Sequence, residues 1–183
     1  VWIVRGENGV FTPTNFNVRK ISSLGTQSPL SFVDVRSIPC WWGEDGILQI
    51  EYNPQFDSFS VVNLTDSTIR SFFLSIPANQ RNNAKGAYDS RESILYWLYD
   101  DSDEIGDEEV DTNGFSYKKA LCLNTLSGAF YPLEFFDANT IAIKGIIFSV
   151  DSVGTSDPKI KFTTSHKIDD TTSRLYYCDL KGE

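Results

Sequence analysis

Val1-Trp2-Ile3-Val4-Arg5-Gly6-Glu7-Asn8-Gly9-Val10-Phe11-Thr12-Pro13-Thr14-Asn15-Phe16 recurs further down the chain as Ala120-Leu121-Cys122-Leu123-Asn124-Thr125-Leu126-Ser127-Gly128-Ala129-Phe130-Tyr131-Pro132-Leu133-Glu134-Phe135. Aligned without gaps, Gly9 meets Gly128, Phe11 meets Phe130, Pro13 meets Pro132 and Phe16 meets Phe135. Each copy reads as a short apolar strand, a polar turn ending in glycine, and a return strand Gly-x-Phe-x-Pro-x-x-Phe. Self-similarity at a fixed distance marks a repeat architecture, so it sets the fold before any local propensity does.

Weaker copies lie between and after this pair. Residues 60–73 repeat the strand and polar turn, ending in an aromatic-rich segment read as the return strand, and Asn63 matches Asn124 at an offset of 61. Residues 175–182 match 121–128 at an offset of 54, so the 119 residues separating the best pair make two periods. A second strand pair falls inside each period. Residues 31–35 lead to Pro39-Cys40-Trp41-Trp42, then Gly43-Glu44-Asp45-Gly46, then Ile47-Leu48-Gln49-Ile50; Asp-Gly between apolar runs is a strong hairpin signal. Residues 86–89 lead to 94–99 in the same way, and 140–150 to 159–162.

Runs of Val, Ile, Tyr, Phe, Trp and Thr, four to eight residues long and bounded by Gly, Asn, Asp, Ser and Pro, make the chain all-β. No helix is expected, since apolar residues keep no 3.6-residue period over a long window and 78–85 is short and polar. Four antiparallel strands every 50 to 60 residues is the arithmetic of a β-propeller blade. A β-sandwich is the alternative. The reading divides residues 1–183 into a half blade at 1–23, blades at 28–77 and 84–136, and most of a fourth at 139–183. That is about three blades' worth of a larger ring, in a chain that is expected to begin partway through a blade.

With 183 residues and 40% apolar content the chain has enough material for a core. It contains no apolar run of the length that spans a membrane and no signal-peptide pattern. The net charge of -9 argues against a surface that holds nucleic acid by neutralising phosphates, while an acidic wall would let DNA slide past. Cys40, Cys122 and Cys178 are too few and too scattered for a disulfide framework or zinc knuckle, and read as small buried hydrophobes.

Several constellations invite a chemical reading. Asp100, Asp101, Asp103, Glu104, Asp107, Glu108, Glu109 and Asp111 form an acidic run that offers oxygen ligands to calcium. Set on an EF-hand with Asp101 first, Ile105 takes a ligand position and Thr112 replaces the closing glutamate, so the motif fails and a solvated loop is the expectation. The single histidine, His166, has no Gly-x-Ser-x-Gly elbow to serve and reads as a surface residue. Carboxylate pairs for glycoside cleavage can come from any two strands, which leaves no sequence signal. Trp2, Trp41-Trp42 and Tyr96-Trp97 are candidates for stacking on sugar rings, with core packing the stronger reading. Asn63-Leu64-Thr65 is a formal glycosylation sequon. No cofactor loop, resident metal or catalytic residue is expected, and the chain reads as a non-enzyme.

The segments 84–89, 94–99 and 119–132, with Trp42-Gly43-Glu44-Asp45-Gly46-Ile47 and 62–69 before them, resemble the tail nozzle proteins (tail tubular protein B) of short-tailed bacteriophages. The likeness covers residues 28–136. It implies a propeller-bearing structural protein of the virion tail, made in the host cytoplasm. Such a protein assembles with other tail proteins into a sixfold ring through which the genome leaves without sequence recognition and without a membrane anchor. A propeller that binds host glycan is the main rival function, and a glycoside hydrolase comes third.

Overall fold

A computed structural model of the chain describes residues 1–6, 10–100, 117–135, 141–149, 159–167 and 173–178. Strands β1 (Trp2–Gly6) and β2 (Phe16–Lys20) form a hairpin, followed by a four-stranded sheet of β3 (Val33–Val35), β4 (Ile38–Trp42), β5 (Ile47–Asn53) and β6 (Ser58–Asn63). Two short helices, α1 (Arg70–Ser75) and α2 (Ala78–Arg81), connect it to a second four-stranded sheet of β7 (Lys85–Asp89), β8 (Ile94–Tyr99), β9 (Lys119–Asn124) and β10 (Ala129–Glu134). A third sheet holds β11 (Ile141–Ser149), β12 (Lys159–Lys167) and β13 (Ser173–Cys178). Every pairing is antiparallel between chain neighbours. The chain is therefore all-β, built from antiparallel meanders. The described sheets do not close into a ring.

The sheets stack in chain order, and β8 shows why. Its sequence Ile-Leu-Tyr-Trp-Leu-Tyr has no polar residue, the pattern of a strand covered on both faces. Leu95, Trp97 and Tyr99 point to the first sheet, where they meet Trp42, Ile47, Val33 and Phe73. Tyr96 and Leu98 point the other way, joining Cys122 of β9 and Ile143, Ile160 and Phe162 of the third sheet. In β9, Leu121 and Leu123 belong to the first cluster and Ala120 and Cys122 to the second. This period-two division places the second sheet in the middle of two apolar cores.

The first of these cores has polar ties at its margin. The Ser28 hydroxyl donates to the Ala84 carbonyl at 2.6 Å, and the Ser31 hydroxyl donates to the Ser28 carbonyl at 2.7 Å while accepting from the Trp42 N–H at 3.0 Å. Trp97 Nε1 donates to the Ser31 carbonyl at 2.9 Å, so the turn at Pro29–Ser31 bonds both to β4 and to β8. Gly86 makes the approach possible. A Cβ there would overlap Val33 of the first sheet and the Trp97 ring.

Two local expectations are corrected. Phe72 and Phe73 belong to α1 and not to a return strand, and Phe73 N–H donates to the Ile69 carbonyl at 2.9 Å. Ile69, Phe73 and Ile76 sit at i, i+4 and i+7, a helical stripe that packs onto Trp42 at the edge of the first core. The second correction concerns the best repeat pair. Pro132 lies within β10, an edge strand that pairs only with β9 and so does not need the missing N–H. Pro13 instead occupies a turn closed by Asn15 N–H to the Thr12 carbonyl at 3.2 Å, and β2 starts only at Phe16. The same Phe-x-Pro letters thus take two backbone paths.

The match between Asn63 and Asn124 is structural. Asn63 ends β6 opposite Leu48, and Asn124 ends β9 opposite Ile94, each at the start of its partner strand. Each side chain then caps the following turn. Asn63 Oδ1 accepts from the Thr65 N–H at 2.9 Å, and Asn124 Oδ1 accepts from the Leu126 and Ser127 N–H groups at 3.0 Å.

Candidate functional site

Of the calcium-type run, only Asp100 lies among the described residues. Asp100 is buried at the end of β8, 7% exposed, so it is not part of a solvated loop. Asp101, Asp103, Glu104, Asp107, Glu108, Glu109 and Asp111 lie outside the described residues. Among the described residues no three His, Cys, Asp or Glu side chains gather as metal ligands. His166 pairs through its backbone with Ile141 on one side and Arg174 on the other. The tryptophans divide: Trp41, Trp42 and Trp97 are buried with Tyr96, while Trp2 is 64% exposed.

The sequon is occupied by structure. Both amide hydrogens of Asn63 are engaged, one to the Asp45 carbonyl at 3.3 Å and one to Asp66 Oδ1 at 3.0 Å, and Thr65 is fully buried. Attachment of a sugar would replace one of these two hydrogens and so break one of the two bonds.

Cys40 and Cys122 are buried free thiols in the two cores. Burial pushes each thiol up to about 12, so neither is a nucleophile near neutral pH. The folded state holds protons that the unfolded chain would release, so this contribution is present below the ordinary thiol pKa and is lost as pH rises toward 12. Iodoacetamide at pH 8 is expected to alkylate Cys40 and Cys122 about a hundredfold or more slowly in the native protein than in denaturant. Peptide mass spectrometry reads the difference, and equal rates would mean that the cores are open.

What sequence reasoning missed is a cleft of about 680 Å³ between the β1–β2 hairpin and the start of β6. Hairpin register puts Ile3 opposite Arg19 and Arg5 opposite Asn17, so these four share one face, and they line the cleft with Asp57, Ser58 and Phe59. Arg5 holds Asp57 in a fork, Nη2 to Oδ1 at 3.1 Å and Nη1 to Oδ2 at 3.2 Å, with its guanidinium 5.6 Å from the Phe59 ring centre. The Tyr52 hydroxyl donates to Asp57 Oδ1 at 2.8 Å. The Arg5 hydrogen bonds, then that from Tyr52, hold the Asp57 carboxyl below its usual range, so it stays charged into acid. A second cleft of about 400 Å³ between the first two sheets contains Arg36, whose Nη2 donates to Ser93 Oγ at 2.9 Å.

The signal for the first cleft was the alternation Ile3, Arg5 against Asn17, Arg19, legible only once the hairpin register is known. The ungapped repeat placed the return strand too early. The lining of the two clefts combines charged side chains with aromatic rings, Arg5, Arg19 and Asp57 with Phe11 and Phe59 in the first and Arg36 with Phe130 in the second. Neither a family model nor a curated protein sequence matches the chain. No helix among the described residues is long and apolar enough to cross a membrane.

Proposed function

We propose that the chain is a structural module of a virion tail, part of the nozzle of a short-tailed bacteriophage, and that its stacked sheets are successive blades of a propeller. The observation that carries the reading is a stack that ends on a bare apolar face. Trp2, Val4, Phe16 and Val18 lie together on the side of the β1–β2 hairpin opposite the Arg5 cleft, each about half exposed or more. An isolated two-stranded hairpin is marginal in water, and contiguous exposed apolar surface marks a contact site. Among the described residues both faces of the second sheet are covered by a neighbouring sheet, and copies of the chain in a sixfold ring with other tail proteins would extend the same rule to the hairpin.

The resemblance over residues 28–136 and the net charge of -9 support the same reading, since an acidic wall does not retain a passing polyanion. The proposal assigns no catalysis to the chain and reads it as a virion component whose contact with DNA is transient. Size-exclusion chromatography with light scattering tests it. A mass near six times 20.6 kDa is expected, together with no retention of duplex DNA in a mobility-shift assay at physiological salt. A monodisperse monomer at micromolar concentration, or tight DNA binding, would overturn it.

A further inference from the structure

We propose that the cleft between the β1–β2 hairpin and β6 binds a carboxylated pyranose, a hexuronate or sialate unit of a surface glycan. The inference stands on the cleft alone and does not need the nozzle reading. Its volume, about 680 Å³, is in the range of small-molecule sites. Its polar groups are of two kinds. Arg5 and Asp57 hold one another in a two-bonded ion pair, to which Tyr52, outside the lining, adds a hydrogen bond. Arg19, Asn17 and Ser58 line the same cleft, and their side chains make no hydrogen bond among the described residues.

Arg19 and Asn17 are two apart on β2 and face the same way, which presents a guanidinium and an amide side by side to a single carboxylate. Asp57, kept charged by Arg5, has lone pairs left to accept sugar hydroxyls, and Ser58 adds a hydroxyl beside it. Phe11 lines the same cleft and is 64% exposed, offering a ring face to the C–H side of a pyranose. A phosphate polymer fits poorly. It asks for several unpaired cations, whereas Arg5 is already neutralised, and the chain's net charge of -9 repels a long polyanion. The ligand that fits is one carboxylate among hydroxyls.

Isothermal titration of the full chain with trigalacturonate, trigalacturonate methyl ester, N-acetylneuraminic acid, maltotriose and a short peptide with a free C-terminus tests this. Saturable binding is expected for trigalacturonate, for N-acetylneuraminic acid, or for both, which tells uronate from sialate. Methyl esterification should weaken binding about tenfold or more, because it removes the charge that Arg19 receives. Arg19→Gln and Asn17→Ala, both at exposed positions, should each lower affinity without moving the melting temperature, whereas Arg36→Gln in the second cleft should change nothing. The proposal is overturned if neither acidic sugar saturates, if the ester, maltotriose or the peptide binds as well, or if Arg19→Gln binds like the parent.

Discussion

Leu98→Asp is expected to lower stability by more than about 4 kcal/mol at neutral pH, while Leu126→Asp should shift it by no more than about 0.5 kcal/mol. Leu98 has no exposed surface and is packed between the second and third sheets, among Tyr96, Cys122, Ile143 and Phe162. Leu126, in the turn from β9 to β10, is 74% exposed. The substitution at Leu98 removes a buried side chain worth about 2–3 kcal/mol and brings a carboxyl into an apolar core whose nearby cation, the cross-strand neighbour Lys85, is already held over the Tyr117 ring. The total is expected to exceed about 4 kcal/mol, against a stability of about 5–15 kcal/mol for an ordinary domain. Burial favours the protonated form of the introduced carboxyl, so its folded pKa lies above the unfolded value of about 3.9. Stability of the variant relative to the parent is then greatest below that value and declines as pH rises, by up to about 1.4 kcal/mol per unit until the folded pKa is passed. Urea melts of both variants at pH 4 and pH 7 read the effect. Equal midpoints at pH 7 would mean that the third sheet does not cover the second.

The strands and their order were legible because the determinants are local. Ile94-Leu95-Tyr96-Trp97-Leu98-Tyr99 lacks alternation, and only a strand buried on both faces tolerates that. Glu44-Asp45-Gly46 gave the turn between β4 and β5, closed by Gly43 N–H to the Gly46 carbonyl at 2.8 Å. The Asn63 and Asn124 match was sound because each caps a turn that its own side chain makes. What failed depended on context. Proline fits an edge strand and a turn equally well, so Pro132 and Pro13 carry the same letters with opposite meanings. Helix α1 is six residues long, below the window in which a 3.6-residue period stands out, and its Ile69, Phe73 and Ile76 stripe acquires meaning only against Trp42. The Arg5 cleft joins residues 52 apart through tertiary packing, and no spacing rule connects them.

Trp97 is where the first two sheets are held most closely, and Trp97→Ala is expected to cost about 3–5 kcal/mol. Its ring is fully buried with a centroid 6.3 Å from that of Trp42, in space that Gly86 leaves open by lacking a side chain. Removing it creates a cavity whose walls are strands of two different sheets, so collapse would need one sheet to move against the other. It also orphans the Ser31 carbonyl, which accepts the indole N–H at 2.9 Å in a buried setting. The polar share can be separated from the packing share, because Trp97→Phe keeps most of the apolar area and loses only the N–H. That variant should cost about 1–3 kcal/mol, the range for leaving one buried acceptor unpaired together with a modest void. Urea midpoints for the two variants, with the m-value checked for constancy, give the comparison. If Trp97→Phe were as damaging as Trp97→Ala, the bond to Ser31 would be the dominant tie between the sheets. If both were mild, the face of the second sheet that Trp97 occupies would have to be open to solvent, and the stack could not be the rigid element that a ring of copies requires.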